Sequence, residues 1–141
     1  LNKYLIEKSR LELTVIKRIS GEEISIPQIN KNLILFFWAV DCANCRIEFI
    51  KLSRLAAQGK LRAESLIAIN YKDDRATILD YMEKENLPFI IGQDLDGQLV
   101  KKFKITQVPT YIFVNKNSIV DWISIGSSVN LEEKISNFLI N

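Results

Sequence analysis

Cys42-Ala43-Asn44-Cys45 carries the only two thiols of the 141-residue chain. Two intervening residues let both sulfurs lie on the first turn of one helix, where they can close a small disulfide and reopen it by thiolate attack. The same spacing is also half of a zinc site. A structural zinc needs four ligands, and the chain has no histidine and no further cysteine to supply them, so no metal is expected unless a partner chain completes the set. A permanent staple is the third reading, and a weak one, because a bridge across two residues constrains the unfolded chain little. Redox exchange is the chemistry this spacing favours. A helix that opens near Cys42 surrounds that sulfur with free N–H groups and the positive end of the dipole, lowering its pKa below the free value of about 8.5. Cys42 is then the attacking nucleophile, and Cys45, one turn further in, the thiol that resolves a mixed disulfide.

Positioning such a pair takes a strand that ends just before Cys42 and a helix that starts there. Leu33 to Trp38 is a continuous β-favouring run, as expected of a central strand covered on both faces. From Ala43 to about Gln58, Ile47, Ile50, Leu52, Leu55 and Ala56 fall roughly at helical spacing, and Gly59 supplies a stop. Upstream, Leu11, Leu13 and Val15 alternate with polar residues as in a half-buried strand, Ser20-Gly21 turns the chain, and Ile24 and Ile26 continue a hairpin. Downstream come a strand over Leu66 to Tyr71, a helix opened by Asp73-Asp74 and running to about Glu85, and a short strand at Phe89-Ile90-Ile91. A turn over Asp94 to Gly97 leads to a short helix through Lys102. A hairpin of Tyr111 to Val114 with Ile119 to Ile125 follows, and a closing amphipathic helix over Leu131 to Ile140. The order βββαβαβαββα predicts one α/β domain over residues 1–141, a sheet with helices on both faces, with Leu1 to Arg10 as a flexible or helical extension.

Composition narrows the function. The net charge of +2 comes from 19 basic and 17 acidic residues that are scattered along the chain, so no nucleic-acid partner is expected. Lys101, Lys102 and Lys104 form the densest basic cluster and read as a solvated helix face. Without histidine, Ser-His and Cys-His nucleophile pairs are excluded. No apolar run approaches the roughly 18 residues of a membrane span. The chain begins at Leu1 and not at Met, which reads as a trimmed or processed form and leaves a removed signal or an anchor upstream of Leu1 open.

A second element is Val108-Pro109-Thr110, directly before the strand at Tyr111. Its proline is either an ordinary trans residue opening a strand or a cis corner that presents the Val108 backbone to a bound peptide. Phe37-Trp38-Ala39, the Cys42/Cys45 pair and Val108-Pro109-Thr110 together resemble the thioredoxin fold. The finer resemblance is to thiol-disulfide oxidoreductases of the TlpA/ResA/DsbE-like branch. It rests on Cys45-Arg46-Ile47-Glu48, on Asp94-Leu95-Asp96-Gly97, Phe103-Lys104-Ile105 and Asn115 in order, and on the long stretch between Cys45 and Pro109. It covers approximately Leu11 to Leu139.

That resemblance implies a thioredoxin-like fold with a central mixed sheet, an N-terminal hairpin and an inserted helix-strand unit. It makes Cys42 and Cys45 the redox pair and Pro109 a cis-proline. Glu48 matches an acidic residue that tunes the protonation of the cysteines, its alternative being a solvated helix glutamate. Trp38 packs beside the active site or serves only the core; with Asp41 and Val108 it is assigned to substrate binding. The implied activity is reduction of protein disulfides, apocytochrome c among them, by a monomer that needs no cofactor. An upstream membrane thiol carrier would restore the dithiol, in the bacterial periplasm or at the extracytoplasmic face of the membrane. A thioredoxin-like binding module with little turnover is the alternative. Peroxiredoxin chemistry is disfavoured because no threonine precedes Cys42 at Pro-X-X-X-Thr-X-X-Cys spacing, and a copper chaperone would need Cys-X-X-X-Cys and a histidine.

Several positions depart from the pattern. Asp41 replaces an aromatic before the first cysteine, Phe36 stands where plain thioredoxins bury an aspartate, Ile50 replaces a helix-kinking proline, and Ala43-Asn44 is an unusual dipeptide. A carboxylate at Asp41 opposes the helix dipole and favours the Cys42 thiol, which points to a reductant.

Overall fold

A computed structural model describes residues 7–127 and 129–140. The elements follow the expected order: β1 (Thr14–Arg18), β2 (Glu23–Ile26), β3 (Leu33–Trp38), α1 (Ala43–Ala57), a 3₁₀ turn (Ala63–Ser65), β4 (Leu66–Asn70), α2 (Arg75–Glu85), β5 (Ile90–Gln93), α3 (Gln98–Lys102), β6 (Thr110–Val114), β7 (Val120–Ile125) and α4 (Leu131–Ile140). The strands form one mixed sheet in the order β2-β1-β5-β4-β3-β6-β7. The β5-β4-β3 pairings are parallel and the remainder antiparallel. This is the α/β, thioredoxin-like arrangement that the sequence predicts, with the hairpin β1-β2 on one edge and α2-β5 inserted after β4.

β3 lies inside the sheet, and all six of its residues are buried. Because side chains alternate across a strand, Ile34, Phe36 and Trp38 enter one layer with Phe49, Leu52 and Leu55 of α1, Ile78 and Tyr81 of α2, and Leu131, Ile135 and Phe138 of α4. Leu33, Leu35 and Phe37 enter the other, with Leu99 and Phe103 around α3. Phe36 and Trp38 each meet Phe49 edge-on with ring centroids 4.9 Å apart, so the front of α1 is fastened to the end of β3. Gly59, at φ +73°, stops α1 by returning its N–H to Ala56.

Two expectations are corrected. The phase of β1 is the reverse of that read from Leu11, Leu13 and Val15: Leu13 and Val15 are exposed, whereas Thr14 and Ile16 point inward. Leu11 is buried, but its N–H bonds Ser118, so it belongs to a separate contact with the start of β7. Ile16 takes the inward position because Gly92 of β5 leaves room for it, and Thr14 because its hydroxyl accepts a hydrogen bond from the Lys102 ammonium at 2.7 Å. In α1, Ile47 and Ile50 face solvent, and the buried stripe is Cys45, Glu48, Phe49, Leu52 and Leu55. The clean three- and four-residue spacing includes a glutamate, which a reading by hydrophobicity passes over. Of the extension expected over Leu1 to Arg10, residues 1–6 lie outside the described residues; residues 8–11 run along residues 118–120.

The contact at Gly92 generates a stability prediction. A Cβ there would lie 2.7 Å from the Ile16 Cγ2 and 3.6 Å from the Lys17 carbonyl, where β1 pairs with β5. Gly92→Ala is expected to destabilise the fold by about 1–3 kcal/mol through overpacking, read from the midpoint of urea unfolding. An unchanged or raised midpoint would show that the hairpin yields.

Candidate active site

The chain leaves the sheet at Trp38 and enters α1 at Ala43, and Cys42 is the N-cap between them. Its backbone is extended (φ −91°, ψ 106°), and its sulfur accepts a hydrogen bond from the Cys45 N–H at 3.0 Å. A sulfur in that position takes the place of the usual capping oxygen and meets the positive end of the helix. Cys42 and Cys45 are joined as a disulfide with Cα atoms 5.2 Å apart. Their exposure differs: Cys42 is half-buried, whereas Cys45 has no accessible surface. An incoming nucleophile or substrate disulfide therefore meets Cys42.

The turn that delivers Cys42 is fastened from below by the loop after β4. Asn70 is fully buried at the end of β4; its Oδ1 accepts the N–H groups of Lys72 and Asp73, and its Nδ2 donates to Asp73 Oδ2 at 2.9 Å. The same Asp73 oxygen accepts the Val40 N–H at 2.8 Å. Asp73, read from sequence as a helix opener, thus reaches back to the turn before Cys42, and Asp74 alone caps α2 by accepting the Thr77 N–H. The neighbouring Lys72 forms an ion pair with Asp41 at 2.7 Å. This pairing holds the Asp41 carboxyl below its ordinary range and the Lys72 ammonium above its own, the side-chain hydrogen bond being the largest cause of each.

Glu48 is not a solvated helix residue. It has no accessible surface, and its carboxylate accepts hydrogen bonds from the Tyr111 hydroxyl at 2.9 Å and the Lys51 ammonium at 3.0 Å. Burial, then the nearby Glu48 carboxylate, pushes the Tyr111 hydroxyl well above its ordinary range. In the sequence Tyr111 reads simply as a strand aromatic and gives no sign of being a polar partner. Glu48 lies one helical turn beyond Cys45 on the same buried stripe. Trp38, read from sequence as packing beside the active site or serving the core, is fully buried and packs between Phe49 and Tyr81 beneath the turn, so its side chain offers no surface for the substrate contact also assigned to it.

The Val108-Pro109 bond is cis. β3 and β6 pair antiparallel with Phe37 opposite Thr110, which brings the Pro109 corner to the end of the sheet where Cys42 stands. The corner is tied down by Thr110 Oγ1 donating to the Gln107 carbonyl and by the Gly126 N–H donating to the Pro109 carbonyl, both at 2.7 Å. Half-buried Val108 borders a cavity of about 90 Å³ with Tyr71, Val100 and Ile105. Of the residues singled out by sequence, Cys42, Cys45, Asp41, Val108 and Pro109 share this end of the sheet, and Glu48 lies buried beneath it. Among the described residues, no cluster of histidine, cysteine or carboxylate side chains could hold a metal ion.

Residues 10–123 match the model of the AhpC/TSA family. The chain belongs to that family. The chain is 27% identical over 115 residues to sporulation thiol-disulfide oxidoreductase A of Bacillus subtilis, covering 79% of this chain and 70% of that protein. It is 30% identical over 91 residues to the thiol:disulfide interchange protein DsbE of Pseudomonas aeruginosa, covering 64% of this chain but only 48% of that one. The crystal structure of StoA from Bacillus subtilis superposes with a TM-score of 0.76 at 25% identity, covering 90% of this chain and 96% of that one. Within the AhpC/TSA family, Ala39 stands three residues before Cys42, where the peroxiredoxin pattern has threonine.

Tyr111 makes the buried carboxylate testable. Tyr111→Phe removes a donor to a buried charged group and is expected to cost about 1.5–3 kcal/mol at neutral pH, measured by urea unfolding. Because folding raises the hydroxyl's pKa, wild-type stability is full below the ordinary tyrosine value of about 10 and falls as pH rises past it. The phenylalanine variant should show a smaller alkaline decline, the buried Tyr81 hydroxyl, also raised, keeping its share, and equal stability of the two proteins at neutral pH would refute the assignment.

Proposed function

We propose that this protein reduces disulfide bonds of other proteins through Cys42 and Cys45. Family membership, the thioredoxin-like fold and the Cys42–Cys45 disulfide make it a thiol-disulfide oxidoreductase. The observation that carries the reading is the asymmetry of the pair: one sulfur at the helix N-terminus and accessible, the other buried a turn behind it. In the reduced protein the Cys42 thiolate attacks one sulfur of a substrate disulfide, forming a mixed disulfide and releasing a substrate thiolate. The Cys45 thiolate then attacks the Cys42 sulfur, closing the bridge described above and releasing the second substrate thiolate. Two electrons pass to the substrate, and the two protons lost by the cysteines are matched by two taken up by the released thiolates. A dithiol of an upstream carrier returns two electrons by the reverse exchange.

The reductive direction rests on what faces the Cys42 sulfur. The nearest cation on the neighbouring loop, Lys72, is paired with Asp41, so the helix end and the Cys45 N–H are the main stabilisers of a thiolate. A modestly stabilised thiolate makes a better reductant than a strongly stabilised one. Glu48, buried beside Tyr111 one turn from Cys45, is the group we assign to tuning protonation of the resolving thiol. The Val108–Pro109 corner is assigned to holding an extended substrate segment, with Asp41 at its edge. Disulfide-containing proteins, apocytochrome c among them, are the proposed substrates, and a membrane thiol carrier the proposed donor. Their setting is the periplasm or the extracytoplasmic face of the membrane, where protein disulfides persist. Among the described residues no helix is long and apolar enough to cross a membrane.

Cys42→Ser is expected to abolish reduction of insulin disulfides. Cys45→Ser should accumulate a mixed disulfide with the substrate, isolated under non-reducing conditions. A wild-type protein that reduces no disulfide, together with a Cys45→Ser variant that traps none, would overturn the proposal in favour of a binding module.

A further inference from the structure

We propose that Lys72 is a positioning residue of the redox pair: by holding the Asp41 carboxylate in an ion pair it cancels the negative charge beside Cys42 and so preserves the thiolate on which attack depends. This deepens the reading above and rests on it. Asp41 is the residue before Cys42, and an unpaired carboxylate there would oppose both the helix dipole and the thiolate. The structure does not leave it unpaired, since the Lys72 Nζ lies 2.7 Å from Asp41 Oδ2. Lys72 is not held there by its own side chain alone. Its N–H donates to the buried Asn70 Oδ1 at 3.0 Å, and the next residue, Asp73, accepts the Val40 N–H at 2.8 Å. Two consecutive residues of the β4–α2 loop therefore grip two consecutive residues of the turn: Asp73 its backbone, Lys72 its charge.

The other charged groups around the turn are already engaged. Arg46 of α1 pairs with Glu85 of α2 at 2.7 Å and lies over the Tyr81 ring. Glu48 of α1 is bound by Lys51 and by Tyr111 of β6. Asp73 is turned to Val40 and Asn70, and its charge adds to the field that holds Lys72 protonated. Asp41 with Lys72 is thus the charge pair next in sequence to the attacking sulfur. Both side chains are exposed, so the effect is that of a charge in water, a few-fold change in an equilibrium, and it is screened by salt.

The test titrates Cys42 in the reduced protein, by thiolate ultraviolet absorbance and by the pH dependence of its alkylation, at low and high salt. Lys72→Met is expected to raise the pKa and lower the thiolate fraction at neutral pH about threefold, Asp41→Asn to raise that fraction by a similar factor, and the double variant to return close to wild type. Lys72→Arg, which keeps the charge, should titrate as wild type. Molar salt should shrink both single shifts, the screening length there being about 3 Å. A Lys72→Met protein whose Cys42 pKa is unchanged or lower would overturn the inference, and so would a double variant that titrates with Lys72→Met. Equilibration of the wild-type pair with a glutathione redox buffer separates this from the parent reading. A pair that does not cycle sinks the oxidoreductase assignment, whereas a pair that cycles but ignores Lys72 sinks this inference alone.

Discussion

The turn between Trp38 and Ala43 is the constraint on which the redox site depends. A strand has to end, and a helix begin, in a few residues, with the cap position occupied by sulfur instead of oxygen. The Cys42 backbone is extended and its sulfur accepts the Cys45 N–H; the Ala39 carbonyl meanwhile accepts the Cys42 N–H at 3.2 Å. Ala39 is buried and Val40 packs against the core, and the polar groups of the loop after β4 hold the backbone between them and Cys42. A buried Asn70 orders that loop, and Asp73 transfers the order to Val40. Neither contact touches the sulfurs. They decide where the helix starts, and the start of the helix decides what a thiolate at Cys42 experiences.

The sheet supplies the other half of the geometry. β3 is parallel to β4 and antiparallel to β6, so its C-terminal end meets the β4–α2 loop on one side and the start of β6, with the cis Val108-Pro109 bond, on the other. The cysteine turn, the Asn70–Asp73 brace and the proline corner are thus collected at one place by strand direction alone. Packing then makes the place rigid. Trp38, Phe36 and Phe49 fasten α1 to β3 directly under the turn, and a close-packed aromatic contact permits little sliding of the helix along the sheet.

Much of this was legible in the sequence, and what was not has a common cause. The order of elements, the cysteine pair at a strand-to-helix junction and the proline opening β6 all follow from local patterns: runs, periods, caps and turn residues. The polar partners do not. Asp41 meets Lys72 across 31 residues, Val40 meets Asp73 across 33, and Glu48 meets Tyr111 across 63. No local pattern encodes a partner at that range. The two misread phases have the same origin. Leu13 and Val15 look like the inward face of β1 until Gly92, on a strand far along the chain, is seen to make room for Ile16 instead. Ile47 and Ile50 look like the buried face of α1 until Glu48 is seen to have partners that let it take that side. Asp73-Asp74 is an instructive middle case, since only one of two adjacent acids can cap a helix, and the doublet itself hints that the other has a different use.

The exchange at position 36 shows how the interior adapts to a buried acid. Plain thioredoxins place an aspartate in the strand, at the position occupied here by Phe36. In this chain the strand offers an aromatic ring, and the carboxylate comes from the helix at Glu48. A buried carboxylate is tolerated only with hydrogen-bond donors at hand, and a phenylalanine supplies none. Phe36 contributes differently: its ring lies 4.8 Å from that of Tyr111 and 4.9 Å from that of Phe49, and this packing fixes the tyrosine whose hydroxyl binds Glu48. The buried acid of this chain thus lies on the helix that carries the cysteines, one turn beyond Cys45. An acid there shares the helix of the resolving thiol and the same buried stripe, so the packing that seats α1 on the sheet sets the carboxylate and the sulfur at a fixed spacing.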